Sequence, residues 1–207
     1  MCDSRATGDE HVPPKCIFPE KDIYRKNLIT VPSCDEHNSK KSKNDEYFKF
    51  IVTAVEYKIE LADEVFGSVM RSFEHRPNLI DAFIPNLQPI RIGGIETAGF
   101  TLDYLRFTDS MAAIVRGLFF HEYGNKLNHK ISGAAFPQMR TEDYKQMPFV
   151  KSIFNAELKL PANYIGKNPR VFQYAFNSSQ SGKTEMCRLR FYEAQPICVT
   201  WKNDLTN

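Results

Sequence analysis

Ten apolar residues between Phe48 and Phe73 recur at spacings of three and four: Phe48, Ile51, Val52, Val55, Ile59, Ala62, Phe66, Val69, Met70 and Phe73. That period puts them on one side of an α-helix, so this stretch predicts a long amphipathic helix over about 45–75 with Asn44 or Asp45 as its cap. A chain holding such a stripe must bury it against other elements, and this one has the apolar material to do so. Hydrophobic residues make up 42% of the 207, which is enough to close a core without disulfides. A second helix is expected over about 108–123, with Met111, Ile114, Val115, Leu118 and Phe119 on one face. Gly117 inside it predicts a close contact with a neighbouring element. These stripes are read as core and carry no chemistry.

After about residue 150 the period falls to two. Val171–Phe176 and Cys187–Tyr192 alternate, and Ile197–Trp201 follows a turn at Gln195-Pro196, so strands are expected there. Gly93-Gly94 marks a turn. No run of 18 apolar residues occurs, which excludes a transmembrane helix, and no basic-then-apolar leader opens the chain. Five cysteines at irregular spacing then read as thiols or metal ligands in a reducing compartment. Net charge is only +2, but residues 125–207 carry 12 Lys/Arg against 6 Asp/Glu. A basic C-terminal region permits a polyanionic partner without demanding one.

The first 44 residues have another texture, rich in Pro, Cys, His, Asn and charge. Leu28–Val31 reads as a short strand closed by Pro32. Ser33 and Glu36 have capping-box spacing, so a helix is expected from near Cys34 with His37 and Asn38 in its first turns. Glu10 directly before His11, stiffened by Pro13-Pro14, sets a hard oxygen ligand beside a base. Asn38 adds an amide oxygen. One carboxylate and one amide suit Mg²⁺ or Mn²⁺, which takes phosphate oxygens and water as its other ligands. A neutral histidine takes a proton from water near neutral pH. Together these groups fit phosphodiester hydrolysis assisted by one metal ion.

The ordered set Glu10-His11, Asn27-Leu28, and Cys34-x-x-His37-Asn38 with Lys40, Lys41 and Lys43 behind it resembles the HNH endonuclease family over roughly residues 2–48. The resemblance implies a ββα-metal module, and with it an α+β chain. A helical segment and a C-terminal antiparallel β-rich region over 49–207 would follow that module. It implies that His11 is the general base, that Glu10 and Asn38 hold the catalytic Mg²⁺ or Mn²⁺, and that Asn27 braces the loop aiming His11. The three lysines would contact DNA phosphates. DNA is the implied substrate, in a bacterial cytoplasm or a phage, and RNA is open to the same chemistry. A protein partner for the accessory region is open too.

The pattern departs from the family at its structural zinc site. Only Cys2, Cys34 and His37 remain of four expected ligands, an incomplete Zn²⁺ set. Either the site is lost, or Asp3 or Cys16 completes it, or the reading frame starts upstream. The competing reading is a non-catalytic nucleic-acid-binding or adaptor protein on a degenerate HNH scaffold.

Other signals were weighed and set aside. Ser181-Gly182-Lys183-Thr184 ends like a phosphate loop but has Asn at 177 and strands on both sides, so it is read as a hairpin turn. His121 and His129 read as surface residues, Cys187 and Cys198 as buried thiols. Tyr164, Phe172, Tyr174 and Trp201, interleaved with Arg170, Arg188 and Arg190, read as core and solvent faces of strands.

Overall fold

The computed structural model describes residues 4–56, 59–92, 94–135, 161–178, 184–194 and 196–201. Strand β1 (Gly8–His11) leads through a 3-10 turn at Lys15–Ile17 and a short helix α1 (Asp22–Arg25) to β2 (Thr30–Ser33). The two strands pair antiparallel, with Glu10 opposite Val31 and His11 opposite Thr30. Pro32 lies inside β2, where the sequence suggested that it closes the strand. It lacks an N–H, which β2 tolerates because its only strand partner among the described residues is β1.

Helix α2 (Asp35–Val55) follows at once. It runs straight through Asn44 and Asp45, so neither is a cap. The single long helix expected over 45–75 is instead two helices, α2 and α3 (Glu60–His75), with a corner between them. They form an antiparallel pair. Phe50 meets Phe66 and Phe73 at ring-centroid distances of 6.5 and 5.7 Å, and Arg76 reaches back to Glu46 at 3.5 Å. Both helices present apolar stripes to one core, and no Gly or Pro marks the corner, so the period runs through it unbroken.

A short helix α4 (Asn78–Phe83) precedes the hairpin of β3 (Gln88–Ile92) and β4 (Ile95–Gly99), whose turn holds Gly94 at φ 85° as the Gly93-Gly94 pair suggested. Helix α5 (Tyr104–Tyr123) starts four residues before the expected 108. Its true cap is Asp103, whose carboxylate accepts from the Arg106 N–H at 3.0 Å. Gly124, at φ 67°, ends it in the left-handed conformation open to glycine.

After α5 the described residues form a five-stranded antiparallel sheet in the order β5-β9-β8-β7-β6. The strands are β5 (Ile131–Ala135), β6 (Ile165–Asn168), β7 (Phe172–Ser178), β8 (Thr184–Phe191) and β9 (Ile197–Trp201). Three of the five are those expected after 150. β5 and β6 lack the alternation that would reveal them, and β5 lies before that limit. Residues 181–183 and Gln195 lie outside the described residues.

One face of this sheet packs on α2 and α5. Phe191 meets Phe48 at 5.4 Å, and Phe176 and Trp201 meet Phe119 at 6.0 and 6.5 Å. The Tyr192 hydroxyl, fully buried, donates to the Ile17 carbonyl at 2.6 Å. One core therefore joins Val12, Ile17 and Val31 to Val171, Leu189 and Trp201. No helix among the described residues is long and apolar enough to cross a membrane.

Candidate functional site

The N-terminal ribbon owes its position to its neighbours. Val12, 2% exposed, packs on α5 at Gly117, where a Cβ would fall 2.7 Å from Val12 Cγ2. The close contact expected of Gly117 is thus made with the end of β1. The Val12 N–H donates to the Ile29 carbonyl at 2.9 Å, which fixes the chain just past His11.

His11 is half-buried at the end of β1. Its Nδ1 is shut from solvent and meets no partner at hydrogen-bond geometry. Burial, then the Lys15 ammonium, holds the imidazole below its ordinary value of 6.5, against a smaller upward pull from the Ile29 carbonyl. The ring is therefore neutral, and able to accept a proton, down to more acidic pH than a free histidine.

Glu10 accepts a hydrogen bond on Oε2 from the Ser33 hydroxyl at 3.2 Å, diagonally across the ribbon. Ser33 is thus engaged by Glu10 and by the Cys34 carbonyl at 3.5 Å, and the capping box expected from Ser33 and Glu36 does not form. Cys34, buried, is the cap residue and makes no side-chain capping bond. Neighbouring strand side chains alternate, so Glu10 and His11 stand on opposite sides of β1, whose only strand partner among the described residues is β2.

Asn38 is the fourth residue of α2, one turn above the end of β2, and Lys40, Lys41 and Lys43 follow on the next turn. Their side chains, that of His37, and all of Cys2 and Asp3 lie outside the described residues. Asn27 sits in the turn before β2 with φ 54°, a conformation that Asn adopts more readily than most residues.

Cys16 does not stand with Cys34. Its thiol donates to the Asp45 carbonyl at 3.6 Å, about 16 Å further along α2 by the helical rise. Burial pushes that thiol up to about 12. A single zinc ion cannot be shared across that distance, so Cys16 does not complete the set. Among the described residues no three His, Cys, Asp or Glu side chains converge on a common point.

The interleaved aromatics Phe172, Tyr174 and Trp201 are buried in the core, whereas Tyr164 lies under Arg190 at 5.4 Å. Cys187 and Cys198 are buried thiols, neither joined in a disulfide. They are offset by one position in the β8–β9 register and point to opposite faces.

No family model, curated protein or solved structure matches this chain.

Two groups escaped the sequence reading. Ser33 looked like a cap, and only the register of β1 against β2 gives its hydroxyl to Glu10. Gly166 and its neighbours on β6 approach the Asn27 turn, where Asn168 Nδ2 donates to the Lys26 carbonyl at 3.3 Å. A separation of 142 residues leaves no local signal for that contact.

Proposed function

We propose that the chain is a divalent-metal-dependent endonuclease of the HNH type, cutting DNA with His11 as general base. One observation carries the reading. An antiparallel β1–β2 ribbon holds the Glu10-His11 pair and runs straight into α2, with Asn38 on its first turn. His11 accepts the proton of the attacking water. With Nδ1 enclosed, Nε2 is the nitrogen that performs this, and a depressed pKa keeps it unprotonated at neutral pH.

Glu10, with one carboxylate oxygen engaged by Ser33, and Asn38 would hold Mg²⁺ or Mn²⁺, a pair of hard oxygen donors suited to either ion. When bound, that ion supplies charge for the scissile phosphate and the leaving oxygen. Glu10 and His11 stand on opposite sides of β1, and in this reading the phosphate lies across the edge of β1 that faces away from β2. Lys40, Lys41 and Lys43 continue the same helix and suit phosphate contacts along the bound strand. Asn27 braces the loop behind His11. Cys34 and His37, with Cys2, form at most an incomplete Zn²⁺ site in this reading.

The deciding experiment is conversion of supercoiled plasmid by the purified protein in Mg²⁺, Mn²⁺ or EDTA. Nicking or linearisation that requires the metal supports the nuclease. DNA retained in a gel shift without cleavage in any metal moves the assignment to a non-catalytic nucleic-acid-binding protein on the same scaffold.

Asn38→Ala is expected to raise the Mn²⁺ concentration needed for half-maximal cleavage by roughly ten- to a hundredfold, the usual scale for losing a group that shapes a metal site. A Mn²⁺ titration of cleavage checks it, and an unchanged midpoint would remove Asn38 from the metal site.

A further inference from the structure

Register decides which side of the ribbon Glu10 occupies. Gly8 pairs with Ser33 and Glu10 with Val31, so these four residues share one face. Val31 is buried in the core, and Val12, two residues past Glu10, is buried against Gly117 of α5. Glu10 therefore stands on the inward face of the ribbon and is only partly exposed there. Its diagonal neighbour is Ser33, whose hydroxyl lies 3.2 Å from Glu10 Oε2 and 3.5 Å from the Cys34 carbonyl. A hydroxyl has one proton to donate, and the nearer, charged acceptor takes it. Ser33 is the last residue of β2, directly before the Cys34 cap of α2, so the group that holds Glu10 is anchored where ribbon joins helix. Thr7 ties the same junction. Its N–H donates to the Ser33 carbonyl at 3.0 Å, and its hydroxyl to Asp35 Oδ1 at 2.6 Å in the first turn of α2.

We propose that Ser33 is a positioning residue for the metal site, holding the Glu10 carboxylate in the orientation that binds Mg²⁺ or Mn²⁺. The inference rests on the nuclease reading above and adds to it a residue outside the ligand set. An untethered glutamate samples several rotamers, and an ion that binds it must suppress that freedom. A hydrogen bond formed before the ion arrives removes part of that cost and fixes which way the carboxylate faces. Because the donor is an uncharged hydroxyl, it orients the carboxylate without cancelling the charge that attracts the cation. Alanine at position 33 deletes the donor, whereas threonine keeps it and suits a strand.

The test reads metal binding apart from cleavage. The full-length native protein, Ser33→Ala, Ser33→Thr and Thr7→Val are each titrated with Mn²⁺ without DNA, and free Mn²⁺ is followed by its EPR signal. Ser33→Ala is expected to weaken Mn²⁺ binding by about tenfold, the scale for losing a group that orients a ligand. Ser33→Thr should bind close to the native affinity. Thr7→Val deletes the bond to Asp35 at the same junction and leaves the Ser33 hydroxyl in place, so it too should bind near the native value. Unchanged or tighter binding by Ser33→Ala, failure of threonine to restore affinity, or equal weakening by Thr7→Val would overturn the proposal. If the native protein binds Mn²⁺ and cuts plasmid while Ser33→Ala matches its affinity, only the role of Ser33 fails. If the native protein neither binds Mn²⁺ nor cuts DNA, the nuclease reading fails and this inference with it.

Discussion

His11→Ala is expected to abolish metal-dependent plasmid cleavage, with a rate loss of about 10²- to 10⁴-fold, the range for removing a positioned general base. Fold should survive the change. His11 lies outside the buried core, so truncating it removes little packing. The melting temperature should stay close to that of the native protein. The native pH profile should agree. A base held below its ordinary 6.5 stays neutral as pH falls past that value, so the acidic limb of the rate should have its midpoint below 6.5. Wild-type cleavage by His11→Ala would take His11 out of the mechanism, and a midpoint above 6.5 would mean that the imidazole is not held low in the bound complex.

Gly117→Val should be strongly disruptive although it lies outside the candidate site. Even a Cβ at 117 lies 2.7 Å from Val12 Cγ2, and two further methyls have nowhere to go between α5 and the end of β1. Overpacking of this kind costs about 1–3 kcal/mol. A chain of this size then loses roughly 2–4 °C in melting temperature per kcal/mol. The strain falls on Val12, the neighbour of His11, so cleavage should drop more than the loss of folded protein explains. Combining Gly117→Ala with Val12→Ala removes the methyls that collide and should recover part of what Gly117→Ala alone loses. Melting curves check both statements. A native-like melting temperature for Gly117→Val would mean that the helix and ribbon are not in close contact.

The residues of the proposed site could be singled out in the sequence because each piece of the pattern is local. Glu10-His11, Asn27-Leu28 and His37-Asn38 are neighbours in sequence, and a strand or helix start needs only a few residues to announce itself. Position along α2 was less legible. The cap was sought at Asn44 or Asp45 because apolar periodicity begins there, yet the first ten residues of the helix are polar and carry no stripe. Ser33 shows the same limit at one residue. A serine before a helix with a glutamate three positions on reads as a cap, yet Ser33 is the last residue of β2 and the helix takes Cys34 as its N-cap.

By itself the sequence determined the elements with strong internal period: the apolar stripes of α2, α3 and α5, the alternation of β7, β8 and β9, and the glycine demanding a close neighbour at 117. Those follow from the chain's own spacing of apolar residues, which any core must satisfy. Only the tertiary structure decided where the stripes turn and what they turn against. The α2–α3 corner, the pairing of β1 with β2, the seat of Val12 on Gly117 and the approach of β6 to the Asn27 turn all join residues far apart in sequence. Their free energy comes from mutual burial and from bonds that exist only once both partners are in place, so neither partner carries the information alone.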